Sequence, residues 1–294
     1  MASETELTAM RQAITLSSFG LGTTSPNPPV GCVILDRHGV AVGVGYHRRK
    51  GEAHAEVNAL SAAGAAARGG TAVVTLEPCN HIGVTPACRQ ELIDAGIARV
   101  VISVIDPTSR GDGGAAVLAA AGVDVETDVL PDETLTVLRP WLTATQRRRP
   151  YLTWAYAIGE ASKEKLDEQL VADQRHRVDL VLADNVTQEG IPGGHAPEYF
   201  TLRDHVANGD LRNWLATSYA GGARSVLVAG GSHAELLHDN LDCVDEIIVA
   251  VESAEPRGAL AAVTKEVTAS NFTLIGVSSK TEASVVRLQR PTQH

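Results

Sequence analysis

The chain has 294 residues, 44% hydrophobic, 20% charged and 4% aromatic, with a formal net charge of -10 at pH 7. That length holds two packed domains or one large one. The acidic balance argues against a polynucleotide partner, whose binders present a basic face, and no apolar run reaches the roughly 20 residues that span a bilayer.

From the N-terminus, MASETELTAM lacks a basic-then-apolar pattern and predicts no secretion signal, so the cytoplasm is the expected location. Leu7, Met10, Ile14 and Leu16 recur at near-helical spacing. VGCVILDRHGVAVGVGYH reads as two apolar strands, Val30 to Leu35 and Val40 to Tyr46, joined by a turn at Asp36-Arg37-His38-Gly39. HAEVNALSAAGAAA predicts an alanine-rich helix closed by Gly69-Gly70. Strand TAVVTLE, helix CRQELIDAG, strand RVVISVID, helix GAAVLAAAG and the short strand VDVET follow in turn. Such alternation predicts an α/β fold whose sheet is mostly parallel and covered by helices on both faces, with its ligand site at the C-terminal strand ends.

At TQRRRPY three arginines and Pro150 mark the passage to a second domain, which divides the chain into residues 1–145 and 146–294. The second half carries strand patterns in YLTWAYAI, VDLVLAD, RSVLVAG and DEIIVAV, with the glycine- and proline-rich loop QEGIPGGHAPEYF among them.

Four cysteines are too few for a disulfide scaffold, so a close pair is expected to bind metal or act in catalysis. Cys79 and Cys88 flank one loop, and His54-Ala55-Glu56 opens the helix before it. One imidazole and two thiolates give zinc three ligands and leave a fourth position for water, the arrangement of a catalytic site. A closed structural site would need a fourth donor, which His81 could supply. Glu56, two residues after His54, is placed to act as general acid and base. Nucleobase deaminases pair a His-x-Glu with two cysteines separated by two residues, whereas eight residues separate them here.

The segments SPNPPVGCVI, GYHRRKGEAHAEVNAL and TLEPCNHIGVTPAC, in that order, resemble the deaminase domain of the bifunctional riboflavin-biosynthesis deaminase/reductase family, which has the longer cysteine spacing. The resemblance runs from about Ala9 to Leu130. It implies a cytidine-deaminase-like α/β/α sandwich that hydrolytically removes an amino group from a diaminopyrimidinone bearing a ribosylamino phosphate. It also implies His54, Cys79 and Cys88 as zinc ligands and Glu56 as proton shuttle, with Asn27, His47 and His81 contacting the pyrimidine or its ribose phosphate; Asn80, between Cys79 and His81, is a further candidate substrate contact. Taken singly, Asn27 between prolines makes a turn, His47 and His81 are solvated loop residues, and Cys32 is a small buried hydrophobe.

The family carries a lysine or arginine where this chain has Val84, and DPTSRGDGG departs from its pattern as well. Losing a charge-assisted hydrogen bond to phosphate costs about 1.5–3 kcal/mol. Three explanations stand side by side. Another cation, from Arg48, Arg49, Lys50 or Arg110, takes the phosphate; the enzyme accepts a different or dephosphorylated heterocycle; or an exposed loop drifted while affinity stayed adequate.

RRRPYLTWAYA and SVLVAGGSHAELLHDNLDCVDEIIVAV resemble the same family's dihydrofolate-reductase-like domain, shortened here. Its middle departs from the pattern. Ala157-Ile158-Gly159-Glu160 stands for Ser-Leu-Asp-Gly, LADNVTQEG replaces a glycine-threonine turn that receives NADPH, and Ala229 replaces an acidic residue. The expectation is a degenerate reductase-like domain that does not use NADPH, kept for assembly into a homo-oligomer such as a dimer or to shape the deaminase site. The leading reading is thus a zinc aminohydrolase acting on a small aminopyrimidine, without nucleic-acid or membrane partners. The rivals are a bifunctional deaminase/reductase, a polynucleotide deaminase, and a non-catalytic protein whose zinc fixes a loop.

Overall fold

The computed structural model describes the chain except residues 81–86, 110, 159–162, 184–185, 203–209, 231–232, 253–270, 280–282 and 292–294; at 163–167, 252 and 279 it describes the backbone alone. The chain divides into two compact units, Met1–Leu142 and Thr143–His294.

The first unit begins with α1 (Glu4–Ser17), whose start is fixed by a capping box between Ser3 and Glu6. Strands β1 (Gly31–Leu35) and β2 (Ala41–Tyr46) form a hairpin. Asp36 Oδ1 accepts from His38 N and Val40 N in its turn, and Gly39 supplies the left-handed φ of +82°. There follow α2 (Ala55–Ala63), β3 (Thr71–Leu76), α3 (Cys88–Asp94), β4 (Arg99–Val104), α4 (Gly113–Ala120), β5 (Asp124–Glu126) and α5 (Pro131–Arg147), whose last five residues belong to the second unit.

The sheet order is β2-β1-β3-β4-β5. It is mixed rather than mostly parallel: β1 is antiparallel to both β2 and β3, and only β3-β4-β5 run together. The hairpin causes this, because β1 and β2 must be antiparallel, and the crossover through α2 then returns β3 in the direction of β2 on the far side of β1. Alternate residues face opposite layers. Cys32, Ile34, Val74, Val100 and Ile102 pack with Ala55 and Ala59 of α2, Leu92 of α3 and Leu118 of α4. Val33, Leu35, Val73 and Val101 pack with Met10, Ala13 and Ile14 of α1. Helix α2 ends at Ala63, ahead of the expected glycines, because Gly64 turns into a left-handed φ of +54° and a short 3-10 segment follows.

In the second unit β6 (Tyr151–Ile158), α6 (Lys163–Gln174), β7 (Leu180–Ala183), β8 (Val186–Glu189), α7 (Leu211–Ala220), β9 (Ser225–Ala229), α8 (Ala234–Asp239), β10 (Glu246–Glu252), β11 (Thr273–Ser279) and β12 (Ala283–Gln289) build a sheet in the order β11-β12-β10-β6-β9-β7-β8. Strands β10, β6, β9 and β7 are parallel. Buried Asp245 ties β6 to β10, accepting from Arg147, Arg149 and Leu152 N. The glycine- and proline-rich segment opens as strand rather than loop, since Gln188 and Glu189 belong to β8. Its remainder is pinned by buried His195, whose ring nitrogens lie 3.1 Å from Asp179 and from Glu189.

Candidate active site

Three donors converge in the first unit. His54 is the N-cap of α2, Cys79 lies three residues beyond β3, and Cys88 is the first residue of α3. One ligand atom from each falls within 4.8 Å of the others. His54 Nδ1 lies 3.1 Å from Cys88 Sγ and 3.8 Å from Cys79 Sγ. A tetrahedral zinc with bonds of about 2.3 Å to sulfur and about 2.0 Å to nitrogen sets N···S separations near 3.5 Å, so the observed pair brackets the value the ion requires. The donor set suits zinc in kind as well, with one imidazole and two soft sulfurs.

Local sequence explains why these side chains meet. The N-cap backbone of His54 is extended and its side chain makes no capping bond, which leaves the imidazole available. Gly43 and Gly45 of β2 let α2 lie directly on the strand: a Cβ at Gly45 would stand 2.4 Å from Ala59 N and 2.5 Å from Ala55 O, and one at Gly43 2.2 Å from Ala59 O. The start of α2, and His54 with it, is thereby set against the sheet. Asn58 Nδ2 completes the placement by donating to Tyr46 O and Ala53 O.

Cys79 is positioned by the buried residue two before it. Glu77 Oε1 accepts from Ala115 N at 2.9 Å, and Oε2 from Asp106 N at 3.2 Å. Its carboxylate thus clamps the end of β3 to the start of α4. Gly114 packs against this corner so closely that a Cβ there would stand 1.9 Å from Pro78 O.

Glu56 is 3% exposed. Burial pushes its carboxyl up to about 7, opposed by nearby His54 and reinforced by Cys79. It also hydrogen-bonds the Cys88 thiol. The two sulfurs divide their protons. Hydrogen bonding from Cys88, and then from His54, holds Cys79 down to about 4, while Cys88 is pushed well above the ordinary thiol value. The backbone N–H of Cys88 also donates to Cys79 Sγ at 3.2 Å, support that a thiolate at a helix start commonly receives.

Of the expected substrate contacts, Asn27 and His47 are brought together. His47 lies edge-on to His54, with ring centroids 5.1 Å apart. Burial pushes His47 down to about 4, so the ring is neutral near pH 7. Its Nδ1 faces Ala53 O at 3.1 Å and Nε2 faces Asn27 Nδ2 at 3.2 Å. A backbone carbonyl only accepts, so Nδ1 carries the proton and Nε2 accepts from the amide. Asn27 Oδ1 in turn accepts from Lys50 Nζ at 2.9 Å. Asn80, next to Cys79, accepts from Arg89 Nε. His81, Val84 and Arg110 lie outside the described residues. Sequence reasoning passed over Glu77, Asn58 and the Gly43/Gly45 pair; alternate glycines in an apolar strand just before a His-x-Glu helix were the available signal.

The described residues contain no helix long and apolar enough to cross a membrane. The model of the cytidine and deoxycytidylate deaminase zinc-binding region matches residues 3–104. The riboflavin biosynthesis protein RibD of Corynebacterium ammoniagenes is 36% identical over 269 residues, 76% of this chain and 79% of its own. The diaminohydroxyphosphoribosylamino-pyrimidine deaminase of Buchnera aphidicola is 52% identical over 126 residues, covering 42% of this chain and 85% of the relative. Among solved structures, RibD of Acinetobacter baumannii superposes with a TM-score of 0.76 at 25% identity, across 97% of this chain and 99% of that one. The deaminase/reductase of Thermotoga maritima shares the fold, with a TM-score of 0.78 at 23% identity over 98% and 99% of the two chains. With a deaminase-like first unit, a reductase-like second unit and this extent of identity, the chain belongs to the RibD family of riboflavin-biosynthesis proteins.

Proposed function

We propose that the first unit hydrolytically deaminates a phosphoribosylamino-pyrimidine of riboflavin biosynthesis, with zinc held by His54, Cys79 and Cys88. The observation that carries this reading is the convergence of those three donors beside a buried carboxyl, in a chain 52% identical over 126 residues to a deaminase named for that pyrimidine. Zinc, when bound, supplies Lewis acidity and brings a water's pKa from about 15.7 to about 7. The protein's own part is proton handling and placement. Hydrolysis forms one C–O bond at the amino-bearing ring carbon and breaks the C–N bond, releasing ammonia. Glu56 takes the proton from the attacking water and gives it to the departing amine. Its raised proton affinity suits both transfers, because a carboxyl poised near neutral pH can accept and then donate. Neutral His47 and Asn27 present fixed hydrogen-bonding edges to the pyrimidine or its ribose, as does Asn80.

For the second unit we propose a retained scaffold with little or no NADPH chemistry. Ala229 before the paired glycines and LADNVTQEG in place of a phosphate-receiving turn support this, since a dinucleotide needs backbone amides and cations arranged for its phosphates. Assembly as a homodimer is supported by β11, an edge strand among the described residues, which exposes Leu274, Ile275 and Val277. Apolar unpaired edges are templates for association. Cytoplasmic residence is the corresponding proposal for location.

One assay tests both halves: zinc-loaded protein incubated with the diaminohydroxyphosphoribosylamino-pyrimidine, with and without NADPH. The expected result is ammonia release without nicotinamide oxidation. Absence of ammonia would refute the deaminase reading, and NADPH consumption after deamination would refute the scaffold reading.

A further inference from the structure

Two cations stand beside this site, each docked on an asparagine next to the metal-donor cluster. Lys50 donates to Asn27 Oδ1, and through Asn27 the contact runs to His47, which packs on His54. Arg89 follows Cys88 and donates to Asn80, the neighbour of Cys79. Its other hydrogen-bond partner, Gln90 Oε1 at 3.1 Å, is also a neutral amide.

We infer that Lys50 and Arg89 form an anion-recognition edge beside the donor cluster and select a substrate bearing a phosphate. The inference rests on the deaminase reading above and assigns the residues that read the substrate's charged end.

Three observations carry it. First, both cations are held rather than loose: Lys50 and Arg89 are partly buried and hydrogen-bonded to side chains flanking the donor cluster. Partial burial disfavours the charged ammonium and lowers the proton affinity of Lys50; a substrate anion would favour the charged form. Second, the amide polarity follows from the cations. With Asn27 Oδ1 turned to Lys50, its Nδ2 faces His47, and Arg89 turns Asn80 Oδ1 toward itself in the same way. The hydrogen-bonding edges around the metal donors are thus coupled to the two charges. Third, the protein carries an excess of ten negative charges, so an anionic substrate needs a local positive edge to approach and stay. The cysteine loop carries Val84 in place of the family's cation, and in sequence Lys50 lies before that loop and Arg89 directly after it. An ammonium and a planar guanidinium are complementary phosphate binders, one a point charge and the other a two-pronged donor.

The test uses Lys50→Gln and Arg89→Gln in the full zinc-loaded chain. Glutamine retains a donor for Asn27 or Asn80 and removes the charge. The first readout is kcat/KM for the phosphoribosylamino-pyrimidine divided by that for its phosphatase-treated riboside. Each variant is expected to lower this ratio about tenfold, through KM rather than kcat. The double variant should lower it about a hundredfold if the two act independently. Equal losses on both substrates, or no loss, would overturn the assignment, because a role confined to orienting Asn27 or Asn80 would not distinguish them. The second readout is calorimetric binding of ribose 5-phosphate, which needs no turnover. Wild type should bind it and each variant about tenfold more weakly. If wild type fails to bind, or the variants bind equally well, the anion edge is refuted whatever the activity. If binding behaves as expected and no pyrimidine is deaminated, the anion edge stands and the deaminase reading falls.

Discussion

Glu56→Gln is expected to abolish most turnover while leaving zinc in place. The carboxyl lies two residues after His54, is 3% exposed, and is lifted to about 7 chiefly by burial. Glutamine fills the same space but can neither take nor return a proton. General acid–base catalysis contributes about 10²–10⁴-fold, so kcat should fall by that range, or about 3–5 kcal/mol of transition-state stabilisation at 1.36 kcal/mol per decade. Zinc content should stay at the wild-type level, because Glu56 is not among the three converging donors. Steady-state ammonia release together with metal analysis of the same preparation checks both halves. A variant that keeps wild-type kcat would remove Glu56 from the mechanism, and loss of zinc would make it part of the metal's support.

Gly45→Val should damage the site from a distance. The side chain would enter space occupied by the backbone of Ala55 and Ala59, with its Cβ only 2.4–2.5 Å from those atoms. Such an overlap cannot be relieved by a rotamer change, so α2 must move off β2. Overpacking typically costs about 1–3 kcal/mol, and a backbone collision belongs at or above the upper end. At roughly 2–4 °C per kcal/mol for a domain of this size, the melting temperature should drop by about 6–12 °C. Zinc retention should fall as well, because His54 sits at the N-cap of the displaced helix. Gly64→Ala is the control. Nothing lies within 4 Å of a Cβ there, and only the backbone, with its φ of +54°, opposes it. A cost of about 1–3 kcal/mol with zinc retained is expected, because ψ of −136° puts Gly64 outside the left-handed helical region as well. If Gly45→Val binds zinc and melts like wild type, close packing of α2 on β2 does not set the site.

The parts of the molecule legible in the sequence are those whose signals are local. His54, Glu56, Cys79 and Cys88 declare their chemistry by residue type at short spacing; His54, Glu56 and Cys88 sit at the starts of helices, and Cys79 just beyond the end of β3. The strands of the first unit and β6, β7, β9 and β10 of the second are readable for the same reason, as apolar runs bounded by glycine, proline or acidic turns, whereas β8, β11 and β12 are not, because polar residues interrupt their apolar pattern. Helix α5 was not anticipated, because Pro140 interrupts its pattern and the following RRRP suggested a linker; its buried Val137, Leu138 and Trp141 nevertheless lie along one side. The mixed pairing of the first sheet also escaped, since alternation of strands and helices gives their order but not which strand a crossover passes over. The clamp at Glu77 depends on backbone donors 29 and 38 residues away, and the Lys50–Asn27 contact spans 23 residues. A carboxylate or an ammonium reads as solvated surface until the fold supplies its partner.

The central claim, that one ion held by His54, Cys79 and Cys88 makes this chain a deaminase, is tested most directly by metal analysis coupled to ammonia release. Wild type and Cys88→Ser should be purified identically and assayed with the phosphoribosylamino-pyrimidine. About one zinc per wild-type chain with activity is expected, and loss of both in the variant. Full activity in protein containing no zinc, or a variant that retains both metal and turnover, would contradict it.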